Sequence, residues 1–389
     1  LSTSARDYVK LMKGATAHEF VDGGKHKVWM CPASPEWQEF YIFRDGVLVS
    51  EPRFGCDALY NDISISCAAP FACGNPGHTH LTSGPYMIRA YRDLLNRSHD
   101  VCAAIKGGQR VPIGTEVIVE NYIDVIDFCH SRAMAGRQGA FEWGGDPNGM
   151  VESIPLFDYV YHEYGPVRLD GFAKLSRRFG EIFYLIAARV YLSGAILELN
   201  YEFSELELFD SMDGPSHYLT YDYWTEYREV ADPARVHKPY LEFLRTMARA
   251  RLGFGRPYLC WGRMMPPLEI ISDVPRLSLD YDHFNVFPEQ DTARAGTVET
   301  DAIITSGWAA PRGLGFFFAN ISNENVSVKC ECDPARYGLK DKYHVDYVTQ
   351  KTRKEVIALS AKLTMEFEVP GRDVVMLEFR TKGAVDAAD

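Results

Sequence analysis

The sequence predicts a mixed α/β chain: a (β/α)8-type barrel over residues 1–265, then an antiparallel β-sandwich over residues 266–389. Three observations carry this. Short apolar runs alternate with helix-length stretches through the first two-thirds of the chain, which implies βαβ units and a parallel sheet. Chemistry-bearing side chains recur at the C-terminal ends of successive runs (Asp62, Glu116, Tyr161-His162-Glu163), where a barrel assembles its site. Beyond Met265 the texture changes to short alternating runs separated by Gly, Pro, Asn and Asp.

The expected strands before residue 265 are Lys27–Cys31, Cys56–Ser66, Val111–Val119, Met150–Glu163 and Leu197–Tyr201. Their near-continuous apolar character suits a sheet buried on both faces. The expected helices are Ser83–Arg97, Glu120–Ala135, Leu169–Ser193 and Pro239–Leu252. Five or six strands are too few for a closed barrel. The first one or two are therefore expected upstream of Leu1, in another segment or a second chain. No G-x-G-x-x-G follows the first strand and no P-loop occurs, which weighs against nucleotide-binding sheets. In the last third, Ala302–Thr305, Gly315–Asn320, Val326–Cys332, Lys342–Val348, Leu363–Val369 and Val374–Arg380 read as strands. Leu363, Met365, Phe367 and Val369 alternate with polar residues, the period of a half-buried strand.

Composition narrows the function. The chain has 389 residues, enough for a sizeable core, and 46% of them are hydrophobic, which excludes a disordered chain. Its formal net charge of −12 argues against nucleic acid and anionic lipid as partners. No window reaches 18 uncharged apolar residues, so no membrane span is expected. The nine cysteines are odd in number and scattered, without a disulfide-scaffold spacing. A secreted or periplasmic location is favoured over a cytoplasmic one.

Asp62 follows the apolar Ala58-Leu59-Tyr60 and precedes a loop rich in Cys, Pro, Gly and His. Glu116 ends the next apolar run, after Gly114-Thr115, where it has no capping role. Glu120 suits the first turn of the helix expected after it, so it reads as supporting or sugar-binding. Two carboxylates at the ends of neighbouring strands are what glycoside cleavage needs: one attacks or stabilises the anomeric carbon, the other protonates the leaving oxygen. Adjacent strands favour a short carboxyl separation and hence retention. Aromatic side chains near these loops, Trp143 among them, would give stacking platforms for sugar faces.

The succession D-A-L-Y-N-D-I-S, G-N-P-G-H-T-H, G-T-E-V-I-V-E-N-Y and I-P-L-F-D-Y-V-Y-H-E, followed by a sandwich, resembles TIM-barrel glycoside hydrolases over most of residues 27–389. In layout it is similar to the retaining endo-α-N-acetylgalactosaminidase group and its relatives. That resemblance implies Asp62 as nucleophile and Glu116 as acid/base. The long gap between the two and the absent early strands depart from the pattern, and substrate identity does not transfer.

Cys67, Cys73, His78 and His80 place four soft or borderline donors within fourteen residues. They could hold Zn2+, though not at zinc-finger spacing, or His78 and His80 could bind sugar hydroxyls or anchor backbone carbonyls. Substrate binding is the favoured reading for these two histidines, and no cofactor or metal is expected. Alternation along the expected strand ending at residue 163 would point Tyr161 and Glu163 one way and His162 the other. All three are substrate-binding candidates, His162 for a hydrogen bond to the nucleophile or a sugar hydroxyl, and Glu163 is the runner-up acid/base. The competing functions are a non-catalytic carbohydrate-binding barrel and a metal-dependent hydrolase built on the Cys73/His78/His80 loop.

Overall fold

The structure is a computed structural model that describes residues 10–22, 25–61, 73–80, 85–116, 120–131, 156–165, 167–173, 181–199, 238–282, 295–339, 343–359 and 363–381. Asp62, Cys67 and Trp143 lie outside the described residues. The chain forms two compact units, residues 1–131 with 164–167, and residues 132–163 with 168–389.

The first unit opens with an antiparallel hairpin, β1 (Ala15–Asp22) and β2 (Lys25–Met30), in which Asp22 pairs with Lys25 and Ala15 with Met30. The run Lys27–Cys31, expected as a first parallel strand, thus belongs to a hairpin. Helix α1 (Pro35–Val49) starts on Pro35, whose fixed φ suits the first helical position, with Glu36 in the first turn. It buries Ile42, Asp45, Gly46 and Val49, spaced three and four apart on one face.

Helix α2 (Tyr86–Ile105) presents Met87, Tyr91, Leu94, Leu95, Ser98 and Cys102 as its buried stripe. The two helices share one core with Leu59, Ile113 and Cys129, which come from the strands β3 (Leu59–Asn61), β4 (Ile113–Glu116) and β5 (Phe128–Ser131). β4 pairs in parallel with β3 on one side and β5 on the other, so β3–α2–β4 is one βαβ crossover. At Gly114 a Cβ would lie 2.3 Å from the Phe128 ring, so only glycine lets that ring lie over β4. The helix expected over Glu120–Ala135 is instead one 3-10 turn, Glu120–Tyr122, followed by β5. Phe128-Cys129 completes the parallel ladder, and that tertiary gain outweighs the local helical pattern.

In the second unit, helix α3 (Leu156–Tyr161) replaces the strand expected over Met150–Glu163, of which 150–155 lie outside the described residues. A short, almost unbroken apolar run has no period that separates strand from helix. β6 (Val167–Ala173) and β7 (Ile196–Leu199) pair in parallel, linked through α4 (Ile182–Leu192). The helix expected from Leu169 therefore begins only after a strand. α4 is buried almost all round. Helices α5 (Lys238–Leu252) and α6 (Arg256–Leu259) pack in the same core.

The antiparallel part comprises β8 (Arg263–Met265), β9 (Glu269–Ile270), β10 (Arg276–Asp282), β11 (Ala295–Asp301), β12 (Ile303–Ala310), β13 (Gly313–Asn320), β14 (Val326–Cys332), β15 (Tyr343–Val348), β16 (Arg353–Leu359), β17 (Leu363–Val369) and β18 (Val374–Thr381). A six-stranded sheet runs β16-β15-β18-β13-β12-β8, a three-stranded one runs β17-β14-β9, and β10-β11 form a separate pair. Alternation along β13 sends Phe316 and Phe318 into a core shared with β14 and β17, and Phe317 into the core of α4 and α5. The six-stranded sheet is thus covered on one face by a second sheet and on the other by helices.

The expected division at 265/266 is one of fold type. The compact units follow contacts and group α4, α5 and α6 with the antiparallel strands. No helix among the described residues is long and apolar enough to cross a membrane.

Candidate active site

Glu116 is the last residue of β4 and is buried, 3% exposed. All four β4 residues are buried, so its carboxyl belongs to the interior of the unit at the C-terminal end of a parallel strand. In the ladder Asn61 pairs with Thr115, and Glu116 pairs with His130.

Beneath the end of β3 lies a polar cluster that the sequence reading did not single out. Asp45, fully buried on α1, accepts hydrogen bonds from Ser98 Oγ at 2.5 Å, from Asn61 Nδ2 at 3.3 Å and from Arg44 at 2.7 Å. Arg44 also donates to Asn61 Oδ1 at 2.5 Å and lies 4.2 Å from the Tyr41 ring centroid. A buried carboxylate is tolerated only when paired and hydrogen-bonded. The network therefore ties α1, α2 and the last residue of β3 into one arrangement. The signal in the sequence is the charged pair Arg44-Asp45 inside the apolar stretch FYIFRDGVLV.

On the other side of β4, Asp127 accepts from the Ile113 backbone N–H at 2.8 Å and from Arg110 Nε at 2.9 Å. This holds the start of β4 against the loop before β5. Glu120 is exposed in its 3-10 turn, and the turn is held by Arg92, which pairs bidentately with Asp124 at 2.6 Å and donates to the Asn121 carbonyl.

His78 and His80 are not isolated loop histidines. The side-chain donor atoms of Cys31, Cys73, His78 and His80 all lie within 4.8 Å of one another. Cys31 Sγ is 3.1 Å from His80 Nε2, and Cys73 Sγ is 3.2 Å from His78 Nδ1. The fourth member is thus Cys31, forty-two residues before Cys73, whereas the sequence spacing had suggested Cys67. Burial pushes the Cys31 thiol up to about 12. His80 stacks on Tyr86, ring centroids 4.4 Å apart, and the Tyr86 hydroxyl accepts from the Cys73 backbone N–H.

Tyr161, His162 and Glu163 belong to the second unit, at and after the end of a helix, so their expected strand-end alternation does not hold. His162 Nδ1 donates to the Gly262 carbonyl at 2.9 Å, and its ring meets Trp308 edge-on at 4.6 Å. These contacts hold His162 in place within the second unit. Glu163 is exposed and Tyr161 half-buried.

Residues 2–168 match the model of a family described as "Domain of unknown function (DUF6259)". No curated protein matches the sequence. Among solved structures, the alpha-amylase from H.orenii aligns with 92% of this chain and 67% of its own, at TM-score 0.50 and 12% identity. The chain is similar in fold to that alpha-amylase. An Anoxybacillus alpha-amylase aligns with 91% of the chain at TM-score 0.44 and 9% identity, and the chain spans 65% of that enzyme's length. A GH27 β-L-arabinopyranosidase from Geobacillus stearothermophilus aligns with all of the chain and 70% of its own, at TM-score 0.41 and 10% identity.

Proposed function

We propose that this protein is a glycoside hydrolase that cleaves O-glycosidic bonds of an oligo- or polysaccharide with two carboxylates, Asp62 as nucleophile and Glu116 as acid/base. One observation carries the reading: β3 and β4 are parallel neighbours whose register pairs Asn61 with Thr115, and each of those residues is followed in the sequence by a carboxylate. Adjacent strands lie about 4.8 Å apart. Retaining enzymes hold their carboxyls roughly 5–5.5 Å apart, so the neighbouring strands favour retention over inversion. Glu116 is buried at the C-terminal end of β4, which fits a residue that works inside a site and not at the surface. Glu120, exposed just beyond the end of β4, is the nearest candidate for a hydrogen bond to a sugar hydroxyl, with Trp143 as a stacking platform.

The domain reading that accompanies this is a barrel over residues 1–265 and a sandwich over 266–389. The order of motifs favours the retaining endo-α-N-acetylgalactosaminidase group and its relatives as the nearest functional model. A hydrolase working through the Cys/His quartet is disfavoured, because four protein donors leave no open position for a reacting water. The test is a screen of the wild-type chain against aryl glycosides and extracted glycans, repeated with Asp62→Asn. Turnover that vanishes in the folded variant supports the reading. Turnover that survives the substitution, or the absence of any hydrolysis by the wild type, overturns it.

A further inference from the structure

We infer that Cys31, Cys73, His78 and His80 form a structural zinc site that clamps the β1–β2 hairpin to the loop of residues 73–80. The inference is independent of the glycosidase reading.

Zn2+ binds thiolate sulfur at about 2.3 Å and imidazole nitrogen at about 2.0–2.1 Å in a tetrahedron. Simple trigonometry then puts all six ligand-to-ligand edges between roughly 3.3 and 3.8 Å. The four donor atoms here lie within 4.8 Å of one another, with sulfur–nitrogen contacts of 3.1 and 3.2 Å. A zinc ion at the centre would lengthen those two contacts by about 0.4 Å, a shift that rotamer adjustment absorbs.

The ligands are held for this task. His78 Nε2 lies 2.8 Å from the Lys13 carbonyl, which can only accept, so that nitrogen carries the proton. Nδ1 is then left as a lone pair, and it faces Cys73. A ligand histidine whose other nitrogen donates to a backbone carbonyl is the usual outer-shell arrangement of zinc sites.

Backbone bonds fix the segments that supply the donors. The Cys31 N–H donates to the Gly14 carbonyl at 2.7 Å and the Gly74 N–H to the Thr16 carbonyl at 2.8 Å. Asn75 Nδ2 donates to the Ala15 carbonyl at 2.7 Å while its Oδ1 accepts from the Gly77 N–H. Residues 14–16 therefore anchor both ligand-bearing segments. Both cysteines are buried and both histidines half-buried, and the histidines line a cleft of about 360 Å3 with Ser34 and Glu36.

Two soft and two borderline donors select zinc over calcium or magnesium, and all four positions are filled by protein. The ion's work here is mechanical: it joins segments 42 residues apart and adds to the Asn75 and His78 bonds that already link residues 13–16 to the loop.

The experiment uses the full chain, purified under reducing conditions from zinc-supplemented medium and analysed for metal by mass spectrometry. About one zinc per chain is expected, and cobalt added to the chelator-stripped chain should give the intense visible bands of tetrahedral thiolate ligation and be displaced by zinc. Cys31→Ser should lose the ion, whereas Cys102→Ser, a buried thiol outside the quartet, should keep it. Chelation of the wild type should lower its thermal midpoint without any change of sequence, which keeps the test valid if Cys31→Ser fails to fold. Three results overturn the inference: wild type that takes up no stoichiometric zinc or cobalt, zinc retained by Cys31→Ser, or a Cys31–Cys73 disulfide in chain purified without reductant and unaffected by added zinc.

Discussion

Asn61 faces Thr115 across the parallel pair β3–β4, and Asp62 and Glu116 are the residues that follow them. If these two carboxylates share the work as proposed, their substitutions must separate by chemistry. Glu116→Gln should lower kcat/KM for substrates with poor leaving groups by about 10²–10⁴-fold, the usual worth of a general acid. It should spare kcat/KM for activated aryl glycosides, whose kcat falls only because deglycosylation has lost its base. Azide should restore turnover of activated substrates by Glu116→Ala, since it is already anionic and needs no general base to take a proton from it as it attacks the glycosyl-enzyme. Steady-state rates on a matched pair of substrates check this. Equal losses on both substrates, or no azide rescue, would move the acid/base role away from Glu116.

Asp45 is the acceptor on which α1, α2 and the end of β3 converge. Asp45→Ala leaves Arg44, Ser98 and Asn61 without it and should cost roughly 3–5 kcal/mol, as for a broken buried ion pair. Ser98→Ala removes one donor to a charged group and should cost about 1.5–3 kcal/mol. Urea denaturation monitored by far-UV circular dichroism gives both values. Because Asn61 precedes the proposed nucleophile, Ser98→Ala should also lower kcat with KM nearly unchanged. A variant as stable as wild type would show that the cluster is not a structural hub.

How much of this was legible in the sequence depends on the range of the interactions. Six of the antiparallel strands were, β14 and β17 among them because they bury alternate residues and period 2 is a local signal, whereas β8, β9, β10, β11 and β16 were not singled out. The helix over Lys238–Leu252 was, from its amphipathic spacing. Helix α3 was not, since Leu156–Tyr161 is apolar at nearly every position. β5 was hidden because Phe128–Ser131 becomes a strand only by pairing with β4. The place of Glu116 at the end of a strand was readable from the apolar run before it. Cys31 was not, because its partners come from a segment far along the chain and only tertiary structure brings the two together.

His162 offers a direct test of a structural against a substrate-binding role. Gly194 follows α4 with φ +80°, and a Cβ there would sit 2.1 Å from His162 Nε2 and 2.9 Å from the Leu259 carbonyl oxygen. Gly194→Ala should therefore destabilise by about 1–3 kcal/mol through overpacking and a backbone conformation that disfavours Cβ. His162→Ala should cost a similar amount by removing the bond to Gly262 and the contact with Trp308. The double variant should be less damaging than the sum, with a coupling of about 0.5–3 kcal/mol, because removing the ring makes room for the methyl group. A rise in KM for His162→Ala at unchanged stability would return this residue to the substrate site.

Glu378 should govern part of the acid limb of stability in the second unit. It is fully buried on β18 and accepts from the Tyr258 hydroxyl at 2.7 Å, from Arg312 at 2.6 Å and from Arg353. Burial by itself would raise its pKa, but the hydrogen bonds from Arg353 and Tyr258 and the charge of Arg312 prevail and hold the carboxyl below the ordinary glutamate value. A carboxylate whose pKa is depressed in the folded state contributes stability above its unfolded value, and that contribution is lost as pH falls through the folded one. Glu378→Gln should therefore be less stable than wild type near neutral pH by about 3 kcal/mol, the lower end for a broken buried pair because both arginines reach solvent. The gap should narrow as pH falls below the ordinary glutamate range of about 4.3, where the wild type gives up the same interaction. Tyr258→Phe, which removes one of the donors holding the carboxyl down, should raise the folded-state pKa, so that a smaller contribution is lost below the ordinary glutamate range and the loss is complete at a higher pH. Urea midpoints of the three chains measured from pH 7 downward decide it. A pH-independent gap between wild type and Glu378→Gln would mean that the carboxyl contributes by packing and hydrogen-bond geometry and not by its charge.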